Sequence, residues 1–406
     1  MPGITGEDIE AARERFDDPD IVQRTPIEYS RTLSDLADAE VYLKMEHLQR
    51  TGSFKTRGAY NKLVDVAASD DVEEVVAASA GNHAQGVALA ASKTGVPATI
   101  VMPTNAPQTK IEATRGYGAT VVLEGLNFGA AVAHAKVLAE ETGAEFVHAF
   151  DDPAIVAGQG TLGLEILEDV PDLDTVIVPI GGGGLVGGIG AALAEKRPDV
   201  RIVGVQADDA ATVPDSLDKG RPLVADDVDT IADGIATGST ADLTFSLIRE
   251  HVDEIVTVSE EEIATGIVLS LERAKQLVEG AGAASVAALI SDRLDVSGEV
   301  VVPVLSGGNL DMSMLQTILT HELTTRSQLI RLRVRIDDGP GKLAVISERI
   351  ADLGANIRTV HHYRSDNSLS VGEAYLVFLV ETSGSAHARQ IVETIEAKGY
   401  DVEQVN

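Results

Sequence analysis

The sequence predicts an α/β protein with parallel sheets covered by helices on both faces, followed by a small α+β unit. Short apolar segments such as Val75–Ala78 and Ala98–Met102 alternate with helical segments from Glu74 to about residue 206. Strands that are apolar throughout and separated by helices are typical of parallel sheets buried on both faces. Beyond about Thr325 the pattern changes to β-α-β-β-α-β, the order of a ferredoxin-like unit.

The predicted elements follow one another with short connections, and each rests on the period of its apolar residues. In the large part we expect helices over 5–16, 54–66, 83–94, 108–115, 127–142, 154–168 and 185–196, and strands over 41–44, 75–78, 98–102, 119–123, 145–148, 175–180, 201–206 and 300–305. In the terminal unit we expect strands over 329–335, 357–363 and 374–381 and from residue 400, with helices over 342–353 and 385–398. Two α/β series of this kind meet along a cleft, and such clefts are common ligand sites.

Composition limits the classes of protein that fit the chain. It has 406 residues, 44% of them hydrophobic, and no run of 18 uninterrupted apolar residues that would predict a membrane span. The N-terminus leads directly into an acidic amphipathic segment rather than a signal peptide. The sequence contains no cysteine, which excludes disulfides, thiolate nucleophiles and cysteine-ligated zinc. We therefore expect a cytoplasmic protein.

The chain is strongly acidic. Its formal net charge is -32 and its isoelectric point is near 4.5. A charge of this sign argues against nucleic acids and anionic membranes as partners. It also exceeds what solubility requires and is typical of proteins from halophilic organisms.

One lysine lies where stability alone does not explain it. Ser53 is predicted to cap a helix that starts at Phe54, which places Lys55 in the first turn, where the helix dipole disfavours an ammonium group. Free N–H groups, Arg57 and partial burial beside Phe54 are expected to lower its pKa and leave some free amine. A free amine attacks carbonyl carbons, so Lys55 is a candidate for Schiff-base formation. The alternative is a solvated surface lysine.

A run of four glycines joins a predicted strand to a predicted helix. Its N–H groups and the helix dipole can cradle an anion such as phosphate, and glycines have no Cβ to hold a phosphate away. Two other interpretations stay open, a tight turn and a dinucleotide site. For the latter, Gly182, Gly184 and Gly187 match G-x-G-x-x-G, and Asp208 follows the next strand. The run consists of Gly181, Gly182, Gly183 and Gly184.

Two further polar turns follow predicted strands. In the sequence Ser-Ala-Gly-Asn-His at 79–83, backbone N–H groups could hold a carboxylate and the Asn82 amide could bond a phenolic oxygen. His83 is expected to be structural rather than a base. The sequence Ser-Gly-Gly-Asn at 306–309 forms a similar turn, whereas 279–283 is compatible with close helix packing alone. The nine histidines are scattered, so no metal site is predicted.

A Schiff-base lysine, a phosphate cradle and an asparagine at a polar turn together suggest pyridoxal phosphate. A dinucleotide site would account for the glycines but would leave Lys55 and Asn82 unused. An NAD-dependent dehydrogenase is therefore kept as the alternative from a different class.

Four motifs, in order, resemble the threonine ammonia-lyase (threonine dehydratase) family of the tryptophan synthase β-like group of pyridoxal phosphate enzymes. They are the segments 53–59, 79–86, 181–184 and 306–309. The resemblance covers about residues 1–325 and implies a two-domain fold type II enzyme with parallel or mixed sheets and a smaller subdomain at about 51–150. Residues 329–406 resemble an ACT regulatory domain, with 338–343 as its first-loop motif, as in the family form with a single ACT domain.

The resemblance also implies roles for individual residues. Lys55 would hold the cofactor and take the Cα proton of the substrate, and Phe54 would pack on the cofactor ring. Asn82 would bond the cofactor O3′ and Ser306 would face its pyridine nitrogen. The glycine run would cradle the phosphate. The substrate carboxylate site would be lined by Ser79, Ala80, Gly81 and His83.

The implied reaction converts L-threonine to 2-oxobutanoate and ammonia, and L-serine would react in the same way. Related serine racemases carry a serine where Ala80 stands, which favours the lyase over a racemase. The divalent-metal site of those relatives uses a glutamate near the position of Gln206, so no metal is expected. The resemblance further implies a tetramer and feedback by a branched-chain amino acid, most plausibly L-isoleucine, bound where two ACT domains pair. A terminal unit that serves only assembly is the alternative.

Overall fold

The computed structural model describes residues 3–225 and 228–405, and the chain divides into two compact units, residues 1–310 and 311–406. Within the described ranges, no helix is long and apolar enough to cross a lipid bilayer.

The first unit contains twelve named helices and ten strands in its described residues. The helices are α1 (Gly6–Glu14), α2 (Arg31–Ala37), α3 (Lys55–Ala67), α4 (Asn82–Thr94), α5 (Gln108–Gly116), α6 (Phe128–Thr142), α7 (Pro153–Asp169), α8 (Gly184–Lys196), α9 (Val213–Lys219), α10 (Asp242–His251), α11 (Glu260–Leu269) and α12 (Gly280–Leu289). The strands are β1 (Ile27–Tyr29), β2 (Glu40–Lys44), β3 (Val75–Ala78), β4 (Ala98–Met102), β5 (Thr120–Leu123), β6 (Glu145–Phe146), β7 (Thr175–Pro179), β8 (Arg201–Ala207), β9 (Glu254–Val258) and β10 (Val300–Pro303).

These strands form two sheets. The larger has the order β1-β2-β10-β7-β8-β9, and its β1 edge strand is antiparallel while the other pairs are parallel. The smaller has the order β5-β4-β3-β6 and is parallel throughout. Strands β3, β4 and β7 are buried at every position, as expected when both faces of a sheet are covered. The predicted α/β fold with parallel and mixed sheets is confirmed.

The second unit contains α13 (Met312–Thr325), β11 (Leu329–Asp337), α14 (Lys342–Asp352), β12 (Asn356–Tyr363), β13 (Glu373–Glu381), α15 (Ser385–Glu396) and β14 (Asp401–Val405). Its antiparallel sheet has the order β12-β13-β11-β14. Apolar residues of α14 and α15 pack with the sheet in one core that includes Ile350, Ile391 and Phe378. From β11 to β14 the chain follows the predicted β-α-β-β-α-β order.

No helix or strand was predicted between residues 207 and 299, where the structure has α9 to α12 and β9. These four helices have only seven to ten residues each. Helix α12 is buried along its whole length, so its sequence is apolar on every side and lacks the period of an amphipathic helix. Short length and uniform burial therefore removed the signals on which the prediction depends.

Helices α3 and α7 pack through two glycines. A Cβ atom added to Gly58 would lie 2.6 Å from the Ile155 carbonyl oxygen, and one added to Gly158 would lie 2.6 Å from the Gly58 Cα. Since real Cβ atoms do not come so close to backbone, only glycine allows this approach of the two helices. The contact fixes α3, the helix that begins with Lys55, against α7.

A buried ion cluster lies beside this contact. The Arg57 guanidinium donates to both Glu46 oxygens at 2.8 Å and to the two Glu165 oxygens at 2.7 and 3.0 Å. Lys44 Nζ donates to Glu165 Oε2 at 2.6 Å and to the Thr25 carbonyl at 2.8 Å. Burial opposes ionisation of Glu46, yet Arg57 holds the pKa of that carboxyl below its usual value. Two cations and two anions balance within the cluster, which lets four charges be buried together.

We expect the Glu46→Gln substitution to lower the free energy of unfolding by about 3–5 kcal/mol, because it leaves buried Arg57 with one carboxylate instead of two. Urea unfolding at constant salt measures the change. The matched control is Asp35→Asn, which breaks the exposed pair with Arg31 and should cost less than about 1 kcal/mol. Equal, small effects of the two substitutions would contradict a structural role of the cluster.

Candidate active site

Lys55 is the first residue of α3, and its amine lies in a cavity of the first unit. Nζ donates to the Ala149 carbonyl oxygen at 3.0 Å and lies 5.1 Å from the centroid of the Phe54 ring. Burial lowers the Lys55 pKa from its ordinary value to about 8, and the Glu279 carboxylate acts in the opposite direction. The amine therefore loses its proton at a pH well below that of an ordinary lysine, and its unprotonated form is the nucleophile for carbonyl groups.

Two details of the predicted Lys55 environment are wrong. The residue before the helix is Phe54, in helical conformation, and Ser53 provides no side-chain cap. Ser53 Oγ is buried and has no hydrogen-bond partner in the described part of the chain. Arg57 does not act on the lysine as a free positive charge, since two carboxylates bind it. Burial itself is the main cause of the lowered pKa.

The glycine run joins β7 to α8 and forms part of the cavity wall. Gly183 has φ +89° and occupies the position before the first residue of α8. A Cβ added to Gly182 would lie 2.2 Å from the Phe150 ring, so no side chain fits at that point. In the described part of the chain no side chain caps the start of this 13-residue helix, so its first N–H groups can bind an anion, and the helix dipole favours negative charge there. The turn therefore fits a phosphate group.

Asn82 is the first residue of α4 and belongs to a hydrogen-bond network across the cavity. Its Nδ2 donates to Glu279 Oε1 at 2.6 Å, and its Oδ1 accepts from Asn309 Nδ2 at 2.7 Å. The backbone N–H of Asn309 donates to Glu279 Oε2 at 3.1 Å. Burial raises the pKa of the Glu279 carboxyl to about 7, against the effect of the Asn82 hydrogen bond.

The turn before α4 has an open side and a buried side. Ser79 Oγ accepts from the Gly81 N–H at 3.1 Å, and a Cβ built on Gly81 would meet no atom within 4 Å. Ala80 packs against the apolar core of the smaller sheet. His83 is buried, and its Nε2 lies 3.1 Å from the Val147 carbonyl oxygen. Because burial and Lys55 lower the His83 pKa to about 3, the imidazole is neutral and donates to that carbonyl.

A single cavity brings the predicted cofactor residues together. Its lining includes Phe54, Lys55, Asn82, the four glycines 181–184 and Ser306. The four residues predicted for substrate binding, Ser79, Ala80, Gly81 and His83, are absent from the described lining and lie just beside Asn82 in the chain. The lining also includes residues that sequence analysis missed: Phe150, Pro179, Leu185, Gly234, Ile235, Thr237, Glu279 and Ala281.

Among the described lining residues that were not predicted, Glu279 is the one with an ionisable side chain. The segment 279–283 was predicted to serve only close helix packing, because its glycines and alanines suit such packing. The available signal was the carboxylate directly before an apolar helix start, with no basic residue within two positions. A buried acid in that setting needs hydrogen-bond partners from elsewhere in the chain. Here those partners are Asn82 and Asn309.

Within the described ranges, no group of three or more histidine or acidic side chains could hold a metal ion. Gln206, which the resemblance compares with a metal-binding glutamate, forms hydrogen bonds within the protein. Its Oε1 accepts from the backbone N–H groups of Val213 at 2.9 Å and Thr212 at 3.2 Å. Gln206 thereby fixes the loop that follows β8.

The geometry fits a class of protein: an enzyme with a lysine that could hold a phosphorylated aldehyde cofactor in a cavity of an α/β fold. Residues 19–307 match the family described as pyridoxal-phosphate dependent enzyme. The chain belongs to this family, and its cofactor is pyridoxal phosphate. The family match favours the phosphate interpretation of the glycine run over the dinucleotide one, and Asp208 is absent from the described lining of the cavity.

Named relatives narrow the comparison. The chain is 47% identical to the L-threonine ammonia-lyase of Thermotoga maritima over 399 residues, which cover 98% of this chain and 99% of that protein. It resembles the structure of the processed form of threonine deaminase isoform 2 from Solanum lycopersicum, with 36% identity and a TM-score of 0.73 over 79% of this chain and 95% of the other. Maize serine racemase is similar at 34% identity and a TM-score of 0.73, over 80% of this chain and 100% of the other.

The residues present fit pyridoxal phosphate. Lys55 has a partly unprotonated amine that could react with the aldehyde, and the turn at 181–184 has no side chain that would hinder a phosphate. Phe54, Asn82 and Ser306 line the same cavity and could contact the cofactor ring.

We expect Lys55 in the cofactor-free protein to react with a small aldehyde and cyanoborohydride with a midpoint near pH 8. The lowered pKa means that the reactive free amine increases as the pH rises through about 8. Lysines with an ordinary pKa gain free amine only near pH 10.4. Quantitative peptide mapping across pH 6–11 measures the two classes in one sample. A Lys55 profile that coincides with those of the exposed lysines would contradict the buried environment.

Proposed function

We propose that the chain is an L-threonine ammonia-lyase that converts L-threonine to 2-oxobutanoate and ammonia, and that also accepts L-serine. The observation that carries the proposal is the cavity that unites Lys55, the glycine cradle, Asn82 and Ser306. The high identity to an L-threonine ammonia-lyase over nearly the whole chain supports the same substrate.

When bound, pyridoxal phosphate supplies an electron sink for the bonds at the substrate Cα. Lys55 holds the cofactor and then takes the Cα proton, a role that its pKa of about 8 suits near neutral pH. Proton transfer by a positioned group is worth on the order of 10²- to 10⁴-fold in rate. The β-hydroxyl leaves as water, and hydrolysis returns one water, so the products together have the composition of threonine.

Other residues bind and orient. The N–H groups of 181–184 hold the phosphate, Phe54 packs on the ring, and Ser306 faces the pyridine nitrogen with a neutral hydroxyl. We assign the substrate carboxylate to the turn formed by Ser79, Ala80 and Gly81, whose open side at Gly81 supports this assignment. His83 fixes that turn from the buried side through its bond to Val147.

The serine racemase activity named for the maize relative is the second candidate within the family. A racemase needs a group that protonates the opposite face of Cα. The methyl side chain of Ala80 cannot donate a proton, and it packs against the core of the smaller sheet. We therefore favour elimination over racemisation.

We expect the purified protein to release 2-oxobutanoate from L-threonine and pyruvate from L-serine, and to form no D-serine. Lys55→Ala should lower the turnover of both substrates at least about 10²- to 10⁴-fold, because it removes the base and the cofactor anchor. The assay couples keto-acid detection with chiral chromatography in molar salt, since we infer from the net charge of -32 that the protein is adapted to high salt.

The control is Lys93→Ala, which changes an exposed lysine and should leave turnover unaltered. D-serine as the main product would overturn the lyase in favour of the racemase. A cofactor-loaded protein that turns over neither substrate would reject both.

We propose that residues 329–406 form an ACT regulatory domain that binds L-isoleucine in a tetrameric enzyme of the cytoplasm. The loop between β11 and α14 supports this assignment through the ion pairs of Asp338 and the backbone conformation of Gly341. Asp338 accepts from Arg364 Nε at 2.7 Å and lies 3.3 Å from His362 Nε2, and Gly341 has φ +84° before α14. The loop thus offers charged groups and free helix N–H groups to a zwitterion.

We expect isoleucine to raise the threonine concentration needed for half-maximal velocity of the full-length enzyme, because a feedback ligand binds preferentially to the less active state. Asp338→Ala should weaken this response at least several-fold while leaving the velocity without isoleucine unchanged. Asp352→Ala, an acid at the far end of α14, is the control. Threonine kinetics unaltered across the titration would favour a unit that serves only assembly.

A further inference from the structure

Glu279 is a buried carboxylate that the proposed reaction does not use. It is 9% exposed and directly precedes α12, and its backbone N–H donates to the Gly307 carbonyl at 3.0 Å. A Cβ built on Gly307 would lie 2.2 Å from Glu279 Oε1, so the carboxylate lies directly on the backbone of the turn after β10. This fit leaves the carboxylate little freedom to move away from Asn82.

Glu279 and Asn309 hold the Asn82 amide from two sides. Nδ2 of Asn82 donates to Glu279, and Oδ1 accepts from the Asn309 amide. If the Asn82 amide were reversed, its oxygen would face a carboxylate oxygen and its NH₂ group would face another NH₂ group. An amide has two N–H donors, and among the described residues Asn82 Nδ2 donates only to Glu279, so its second N–H is available to a ligand in the cavity.

The orientation of Asn309 is itself fixed. Its Nδ2 also donates to the Thr51 carbonyl oxygen at 2.7 Å. A backbone carbonyl can only accept hydrogen bonds, so Asn309 must turn its NH₂ group toward Thr51 and Asn82. The direction of the hydrogen bonds is thereby set by the backbone at Thr51 on one side and by Glu279 on the other.

We propose that Glu279 is a positioning residue that, together with Asn309, fixes Asn82 as a hydrogen-bond donor toward the cofactor and so selects the ionised form of the cofactor's ring hydroxyl, O3′. An N–H donor stabilises a negatively charged oxygen more than a neutral hydroxyl. The inference rests on the cofactor of the family and on the expected contact between Asn82 and O3′. It is independent of which amino acid the enzyme consumes.

The charged groups around Glu279 come from several elements. Lys55 on α3 and Lys110 on α5 favour its ionised form, and Asp233 in the loop before α10 disfavours it. Burial is the largest effect and raises the Glu279 pKa to about 7, while the bonds from Asn82 and Asn309 favour the carboxylate. The same two donors that the carboxylate positions thus help to keep it ionised.

A comparison of two cofactors tests the proposal. The cofactor is removed from the full-length enzyme, and the dissociation constants of pyridoxal phosphate and of its analogue without the ring hydroxyl are measured. The wild type, Glu279→Gln and Asn309→Ala are compared, since the two substitutions act on opposite sides of the Asn82 amide. Glu73→Gln removes an exposed carboxylate from the surface and is the matched control. The absorption spectrum of the bound cofactor is recorded for each protein, because the ionised and neutral ring hydroxyl absorb in the visible and the near ultraviolet, respectively.

We expect Glu279→Gln and Asn309→Ala each to weaken pyridoxal phosphate about tenfold, as for the loss of one well-placed hydrogen bond, and the analogue less than about twofold. The fraction of bound cofactor that absorbs in the visible should fall in both variants and stay unchanged in Glu73→Gln. Equal weakening of both cofactors, or an unaltered spectrum in both variants, would overturn the proposal, since Glu279 would then act on the fold alone. If Glu279→Gln does not fold, Asn309→Ala gives the same comparison. A failure to consume threonine leaves these binding results unaffected.

Discussion

The buried cluster of Arg57, Glu46, Glu165 and Lys44 is the interaction on which the position of Lys55 depends. Arg57 lies two residues after Lys55 on α3, and its carboxylate partners come from the segment after β2 and from α7. A buried cation left without these partners would be strongly unfavourable, so the cluster forms only when all three segments are correctly placed. A charged network therefore specifies the position of the reactive amine more sharply than apolar packing alone would.

Close backbone contacts complete this arrangement. Glycines bring α3 against α7 at Gly58 and Gly158, place the β7–α8 turn under the Phe150 ring, and set Gly307 against Glu279. Each contact removes the volume of a side chain at a point where two elements must meet. The cavity is consequently bounded by backbone on several sides, so that N–H groups rather than side chains are available for the cofactor phosphate that we propose there.

The sequence predicted the parallel strands and the motifs that follow them, because each depends on local chemistry. Strand β3 and the turn at 79–83 are examples: a short apolar run and a polar turn at its end. Glu279 could not be identified in the same way, since its partners Asn82 and Asn309 are distant in the chain. The region 207–299 was also unassigned, because the burial of α12 is a tertiary property. The predicted effect of Arg57 on the Lys55 pKa was wrong for a related reason. The carboxylate partners of Arg57, Glu46 and Glu165, are brought to it only by the tertiary structure.

Charge around the cavity is distributed so that Lys55 can act as a base. Among the described residues of the lining, Lys55 and Glu279 are the ionisable pair, and burial moves their pKa values toward each other, to about 8 and about 7. A lysine paired directly with a phosphate would be stabilised as an ammonium and would hold its proton. The phosphate site proposed at 181–184 consists of backbone N–H groups and a helix dipole, which can bind an anion without a titrating partner. A phosphate stabilised by dipoles at this proposed site would leave Lys55, the one lysine among the described residues of the lining, free to exchange protons near neutral pH.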